Sequence, residues 1–493
     1  MTLEDAPTDA VPQTRRARRA ATGEVTTTPA ATAGAPAVTS TATEVGAAPA
    51  SAPQAFAWLD ASTVLARTYA PKAMESATAA QPVVPDLIGP LPRRSAFRPS
   101  VSVPILLVLL VAAAYTVTSL VWPLNAVPPV IEAGQVTTTP APPASPAWPA
   151  TGSAAVGVEG IGATAASTDK TAQIASITKV VTALLVLDEM PLAVGEQGPK
   201  YFFSSSDYAR YVANGESALK VPVGGSLTQY QLLEGMLIGS ANNYADRLAS
   251  ELWPTDAVYA AAANQWLSDN GLEGITVVNP SGFSKGNKAT PAALLALADK
   301  ALQNPVIAEI VAKKSVKLPG AGTVKNTNAL LADPGVVGIK TGTLSTYSSL
   351  TAKDITIGDT TVRTYASVLG QKNNAARVAA ARALYAQLET ELQPTTAVPA
   401  GTHAGGVTTA WGEKVDVVTA SDAQVVLWNG ASAAATVNVD LGGKSEKGDI
   451  VGSLVVTGPL NSQTVELALA EDVEGPSPWW RLTHPLELFG IGR

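Results

Sequence analysis

Twenty-two consecutive residues without a charge, Val101 to Trp122 (VSVPILLVLLVAAAYTVTSLVW), divide this chain into two parts that need different surroundings. As a helix at about 1.5 Å per residue the run would span roughly 33 Å, enough to cross the hydrocarbon core of a bilayer. A cleaved leader is disfavoured, because about a hundred residues precede the run and its apolar stretch is too long. Arg93, Arg94 and Arg98 stand just before it, and no Lys or Arg follows until Lys170. That asymmetry predicts a cytoplasmic N-terminus, with everything after Trp122 outside. A buried helix of a soluble domain accounts less well for the length and the charge asymmetry.

On either side of this span the composition changes. Residues 1–99 are mostly Ala, Thr, Pro and Ser with few aromatics, too little apolar surface to fold alone, and they read as a disordered tail. Within them Arg15-Arg16-Ala17-Arg18-Arg19 reads as a solvated cluster rather than a lipid-binding patch. With 100–123 as the span, 124–150 is expected as a Pro-rich linker, in which Thr137 to Pro149 (TTTPAPPASPAWP) holds the next domain off the membrane. The net charge of −7 gives no reason to expect nucleic acid. The chain has no cysteine, which excludes disulfides, and its two histidines, His403 and His484, lie far downstream.

Residues 151–393 read as a globular domain. Ala154–Gly162 alternates as a hairpin would, helices are expected near 175–190, 227–252, 256–269, 290–313 and 374–391, and strands near 336–340, 346–353 and 360–369. An early hairpin and late strands around a helical middle predict an α+β fold, an antiparallel sheet with a helical cluster beside it. Residues 394–475 are rich in Val, Thr and Gly, with turn signals at Asn429-Gly430 and Gly442-Gly443, and predict a small all-β domain. The C-terminal segment 476–493 carries Trp479, Trp480 and three prolines. The prolines oppose a long helix, and both an interfacial membrane contact and packing on the β domain fit its composition.

Three motifs in one order carry the chemistry: Ser176-Ile177-Thr178-Lys179, Ser240-Ala241-Asn242 and Lys340-Thr341-Gly342. With no cysteine and no nearby histidine, a nucleophilic serine here would have to be activated by lysine. Alone, Ser-x-x-Lys is usually a helix cap with a surface lysine, and Ser167–Lys170 and Ser217–Lys220 match it as well. Ser176 differs in opening the strongly apolar helix VVTALLVLDEM. Lys179 then projects one turn on, and the helix mouth supplies amide donors for a developing oxyanion. Burial and nearby cations would leave the lysine amine neutral enough to take the serine proton. Ser240 falls between two helices, where its hydroxyl would relay a proton and the Asn242 amide would hold a substrate carbonyl. Ser268-Asp269-Asn270 is a rival spelling, but QWLSDNGLEG reads as a helix closing on an Asn-Gly cap. Lys340 ends an apolar strand; it and the Thr341 hydroxyl would bind a carboxylate, Gly342 would allow close backbone approach, and the Thr343 amide would complete an oxyanion hole.

Ser-x-x-Lys with the two later motifs is the set of penicillin-binding proteins and class A β-lactamases. Residues 151–393 resemble the D-alanyl-D-alanine carboxypeptidase family of low-molecular-mass penicillin-binding proteins, through IASITKVVTALLVLD, GSANNYADRLA, VVNPSGF, ATPAALLALA, NTNALL and GIKTGTLSTYSSL. The resemblance implies a β-lactamase/transpeptidase-like fold, Ser176 as the acylated nucleophile and Lys179 as its base. It implies Ser240 with Asn242 as one wall of the cleft, and Lys340, Thr341 and Gly342 as another. The amides of Ser176 and Thr343 would form the oxyanion hole, and Arg363 in TVRTYASVLG would help to hold the substrate carboxylate. The partners implied are peptidoglycan stem peptides ending in D-Ala-D-Ala and β-lactam antibiotics, with no metal or organic cofactor, at a bacterial membrane anchored through residues 101–122. One departure is plain: such proteins are often tethered at the C-terminus after a cleaved signal. The rival functions are an endopeptidase cutting cross-links, a β-lactamase, for which no water-activating glutamate is evident, and a non-catalytic wall-binding scaffold.

Overall fold

The computed structural model describes residues 98–491, so the N-terminal tail, its arginine cluster, Arg93 and Arg94 lie outside the described residues. Helix α1 (Pro99–Val121) begins the described chain, and among the described residues it is the one helix long and apolar enough to cross a membrane.

The next segment departs from the expected spacer. Strand β1 (Val130–Ala133) pairs antiparallel with residues 405–408. Beyond it Thr139 N–H donates to the Ala397 carbonyl and Ala141 N–H to that of Ala431, while the Thr138 hydroxyl donates to the Ala433 carbonyl. Pro140 stands between the Thr139 and Ala141 contacts, where no donor is needed. Residues 130–141 are therefore a strap across the β domain, and the α+β domain is inserted between the first strand of that domain and its remainder.

The inserted domain is built on a five-stranded antiparallel sheet. Its strands are β2 (Ser153–Val158), β3 (Ile161–Ala166), β4 (Val336–Thr343), β5 (Tyr347–Ile357) and β6 (Thr360–Gln371), ordered β4-β5-β6-β2-β3. The early hairpin thus joins the late strands through β6–β2, as the sequence pattern implied. Between them come α2 (Thr178–Glu189), α3 (Ser206–Ala213), α4 (Gln229–Leu237), α5 (Asn242–Ser250), α6 (Asp256–Asp269), α7 (Pro291–Leu302) and α8 (Pro305–Ala312). Two expected helices prove to be pairs. Residues 227–252 break at Ser240, whose φ of 61° no helix accepts. Residues 290–313 break where Asn304 caps Val306 and Ile307 and Pro305 opens the second helix. Helix α2 runs through the middle of the helical cluster with Thr178–Leu187 wholly buried. On the other face of the sheet lies α9 (Asn374–Glu391).

The β domain contains β7 (Pro394–Val398), β8 (His403–Thr408), β9 (Lys414–Thr419), β10 (Ala423–Val426), β11 (Ala434–Val439), β12 (Ile450–Thr457) and β13 (Ser462–Leu469). Its sheet runs β1-β8-β9-β13-β12-β11, with β7 and β10 paired apart. Trp428, just after β10, is 2% exposed among Leu384, Leu388 and Leu392 of the inserted domain and donates to Glu391 Oε2 at 2.7 Å. The two domains therefore share a core there.

The C-terminal segment forms two short proline-initiated helices, α10 (Pro478–Thr483) and α11 (Pro485–Leu488). Trp480 meets Trp411 of the β domain edge-on at 5.9 Å. Arg481 donates to the Trp122 carbonyl at 2.8 Å, Tyr115 donates to the Leu482 carbonyl at 2.6 Å, and Trp122 packs edge-on against Phe489. Its guanidinium thus satisfies a carbonyl that the end of α1 leaves without a helical partner.

Removing the shared-core indole by Trp428→Ala is expected to cost about 3–5 kcal/mol. A clearly lowered melting temperature with an unchanged far-ultraviolet circular dichroism spectrum would register it; an unaltered melt would show that the domains do not depend on this contact.

Candidate active site

Ser176 lies in a single 3-10 turn, Ala175–Ile177, that runs directly into α2. Ala175 takes a left-handed φ of 47°, which turns the chain sharply at the helix mouth. Two glycines let other segments close on this turn. A Cβ on Gly282 would stand 2.1 Å from the Ala175 carbonyl oxygen, and one on Gly342 would stand 2.4 Å from that of Ile174. Gly342 was expected to permit close backbone approach, and the backbone it admits is the chain's own, at Ile174 just before the Ser176 turn. Strand β4 also continues through Thr343, so Lys340, Thr341 and Gly342 lie within the strand rather than beyond its end.

The structure brings Ser176, Lys179, Ser240, Asn242 and Lys340 together. Lys179 is 0% exposed. Its Nζ lies 3.0 Å from Ser176 Oγ, 2.7 Å from Asn242 Oδ1 and 2.5 Å from the Ser281 carbonyl oxygen. Two of these partners are carbonyl oxygens, which only accept. A neutral amine has two N–H groups to give them, and its lone pair is then left for the third partner, the Ser176 hydroxyl. Burial pulls the Lys179 pKa down to about 7, against the smaller opposing pull of the Asp246 and Glu216 carboxylates.

Lys340, 1% exposed, donates to Ser240 Oγ at 2.9 Å and to the Thr341 carbonyl at 3.0 Å. Burial, with Lys179 and Arg377 nearby, holds its pKa well below the ordinary lysine value. The Thr341 hydroxyl shares a 2.7 Å hydrogen bond with that of Thr327. Asn242 does not present a free amide. Its Oδ1 is taken by Lys179 and its Nδ2 donates to Glu216 Oε2 at 2.8 Å, so both ends of the amide expected to hold a substrate carbonyl are engaged within the protein.

Arg363 is not part of this cluster. It forms a two-pronged pair with Asp354 at 2.8 and 3.0 Å. The register runs Lys340↔Leu350 and Leu350↔Ser367, so Arg363 lies four residues further along its strand, about 13 Å at 3.3 Å per residue. The guanidinium at the motif strand is that of Arg377, in the first turn of α9. It is buried, donates to the Ser348 carbonyl at 3.0 Å and the Gly342 carbonyl at 3.3 Å, and lies 3.5 Å from Thr343 Oγ1. Both arginines follow the motif strand, and neither composition nor periodicity distinguishes them; only the turn into α9 brings Arg377 back. The Ser281 carbonyl, within NPSGF, was likewise without a role in the sequence reading. Ser268 is exposed at the end of α6, and its carbonyl accepts from Gly271 N–H in the helix-closing turn. No group of three or more His, Cys, Asp or Glu suited to a metal occurs among the described residues.

Residues 163–373 match the family model described as D-alanyl-D-alanine carboxypeptidase. The D-alanyl-D-alanine carboxypeptidase DacB2 of Mycobacterium tuberculosis is 33% identical over 174 residues, which cover 33% of this chain and 55% of that protein. The chain thus spans about half the length of this curated relative. Among solved structures, the Streptomyces K15 DD-transpeptidase is 24% identical, covering 50% of this chain and 98% of that one at a TM-score of 0.43. A peptidoglycan synthesis regulatory factor (PBP3) from Streptococcus pneumoniae is 21% identical, covering 66% and 99% at 0.45. The family match lies within the inserted domain and takes in all three motifs, Ser176 to Lys179, Ser240 to Asn242 and Lys340 to Gly342.

The two arginines give opposite expectations for the rate of penicillin acylation. Arg363→Ala, on the strand surface, should change it by no more than about twofold. Arg377→Ala, which removes buried charged hydrogen bonds beside Thr343, should slow it by about tenfold or more. The reverse pattern would return the carboxylate-facing role to Arg363.

Proposed function

We propose that this chain is a serine-type D-Ala-D-Ala carboxypeptidase, held at a bacterial cell membrane by α1, that removes the terminal D-Ala from peptidoglycan stem peptides and is acylated by β-lactams. The observation that carries the reading is the Lys179 amine, two of whose three polar partners are carbonyl oxygens and the third the Ser176 hydroxyl.

In this reading Ser176 Oγ attacks the carbonyl carbon of the penultimate D-Ala while Lys179 Nζ takes the hydroxyl proton. The oxyanion develops against the backbone amides of Ser176 and Thr343. The Lys179 proton passes through the Ser240 hydroxyl, held by Lys340, to the departing D-Ala nitrogen; the C–N bond breaks and an ester remains on Ser176. Water then attacks the ester, giving up a proton to the same amine; the ester C–O bond breaks, the amine returns that proton to Ser176 Oγ, and the shortened peptide leaves. Lys340, the Thr341 hydroxyl and Arg377 supply the positive and donor surface for the substrate's terminal carboxylate. A β-lactam opens its ring on Ser176, but its leaving nitrogen stays attached and the adduct persists. Arg98 at the start of α1, followed by no cation until Lys170, supports an outside position for the catalytic domain.

Fluorescent penicillin, followed by mapping of the modified peptide, tests the assignment. The label should fall on Ser176 and vanish in Ser176→Ala, while Lys179→Ala should cut acylation by roughly 10²–10⁴-fold. Because the amine accepts a proton only when neutral, acylation should rise with pH through about 7 and fall away below it. Defined muropeptides should yield free D-Ala as the main product; release of cleaved cross-links instead would point to an endopeptidase. No adduct on folded protein would refute the acyl-transfer reading.

A further inference from the structure

Asn242 raises a question that the three motifs do not answer. A side-chain amide has a donating end and an accepting end of nearly the same shape, and only one orientation suits a lysine base. With Oδ1 toward Lys179, the amide takes an amine N–H and leaves the lone pair for Ser176. With the amide turned over, Nδ2 would donate to that lone pair and compete with the Ser176 hydroxyl for it. Some neighbour must hold the productive orientation.

That neighbour is on the loop after α3. Glu216 Oε2 accepts from Asn242 Nδ2 at 2.8 Å, opposite the 2.7 Å contact of Oδ1 with Lys179. A carboxylate only accepts, so it selects the amino end of the amide. The loop is itself fastened to α5. Asn242 N–H donates to the Ser217 carbonyl at 2.7 Å, and Asn243 brackets Leu219, its Oδ1 accepting from Leu219 N–H at 3.2 Å and its Nδ2 donating to the Leu219 carbonyl at 2.8 Å. Glu216 N–H is held by the Tyr211 carbonyl at 2.9 Å. The carboxylate is thus set in place by the backbone, with Asn214 Nδ2 as a distant second donor at 3.5 Å.

We propose that Glu216 is a positioning residue for acyl transfer, which locks the Asn242 amide with its oxygen on Lys179 and so keeps the amine's lone pair on Ser176. Among the described residues it forms no hydrogen bond to Ser176 or Lys179, so it acts through Asn242. Its charge has a second consequence. The titratable groups that face Lys179 are Asp246 from α5, Glu216 from the loop and Lys340 from β4, with Tyr259 of α6 bonded to the neighbouring Thr182. Among these, both carboxylates favour the protonated amine. Removing Glu216's charge while keeping an acceptor should therefore move the low-pH limb of acylation further down.

This inference rests on the acyl-transfer reading and is tested on the full chain with benzylpenicillin, measuring acylation and deacylation rates across pH for the unaltered protein, Glu216→Gln and Glu216→Ala. Gln keeps an acceptor for Nδ2, so its plateau acylation rate should stay within about threefold while its low-pH limb shifts downward. Ala removes the acceptor and should slow acylation about tenfold or more at every pH. Thermal melts check folding; should Glu216→Ala fail to fold, the limb shift in Glu216→Gln decides. Acylation in both variants with an unshifted limb and unchanged rate would overturn the inference. So would normal acylation with deacylation abolished in both, which would make Glu216 the base that activates water. Absence of any adduct on the unaltered protein would instead strike the acyl-transfer reading itself.

Discussion

An amine shut away from water governs this structure. An ammonium buried with no paired charge is expensive, and the ordinary response is loss of the proton. Here that response is put to use. Lys179 sits on a helix whose first ten residues are all buried, and its own side chain is 0% exposed. Its three polar neighbours suit a neutral amine, since two carbonyl oxygens absorb its two hydrogens and a hydroxyl remains for its lone pair. Charged, the same amine would have three N–H groups and no lone pair, and the serine proton would have no acceptor.

The rest of the domain holds that arrangement from three directions. The Ser176 turn is pinned by a glycine on each side, Gly282 from the NPSGF loop and Gly342 from the motif strand, both too close to accept a side chain. The second motif hangs on the break between α4 and α5, where Ser240 takes a left-handed conformation and meets Lys340. On the motif strand, burial with Lys179 and Arg377 nearby lowers the affinity of Lys340 for protons. Outside the domain, insertion into the β sheet and the shared core at Trp428 make the two domains one framework.

Local chemistry was legible in the sequence wherever it depended on neighbours along the chain. Ser176 and Lys179 lie one helical turn apart, and the apolar run after them announced burial. The antiparallel sheet followed from the early hairpin and late strands, and the proline-started helices 291–302 and 305–312 differ from expectation only in being two. What failed to show depended on three-dimensional return of the chain. Arg363 and Arg377 are equally plausible cations on paper, and only the path from β6 into α9 decides between them. The segment 124–150 has the composition of a spacer, but composition does not reveal that a sheet edge more than 270 residues downstream is open to its residues 130–133. Glu216 carried no signal at all, because its partner is the side chain of a motif residue and not a neighbour in sequence.

Site-resolved NMR titration of the Lys179 side-chain nitrogen, assigned against Lys179→Arg, measures the central quantity directly. The account predicts a midpoint near the value of about 7 that burial imposes. A midpoint at the ordinary lysine value of about 10.4, in protein that still acylates at neutral pH, would contradict it.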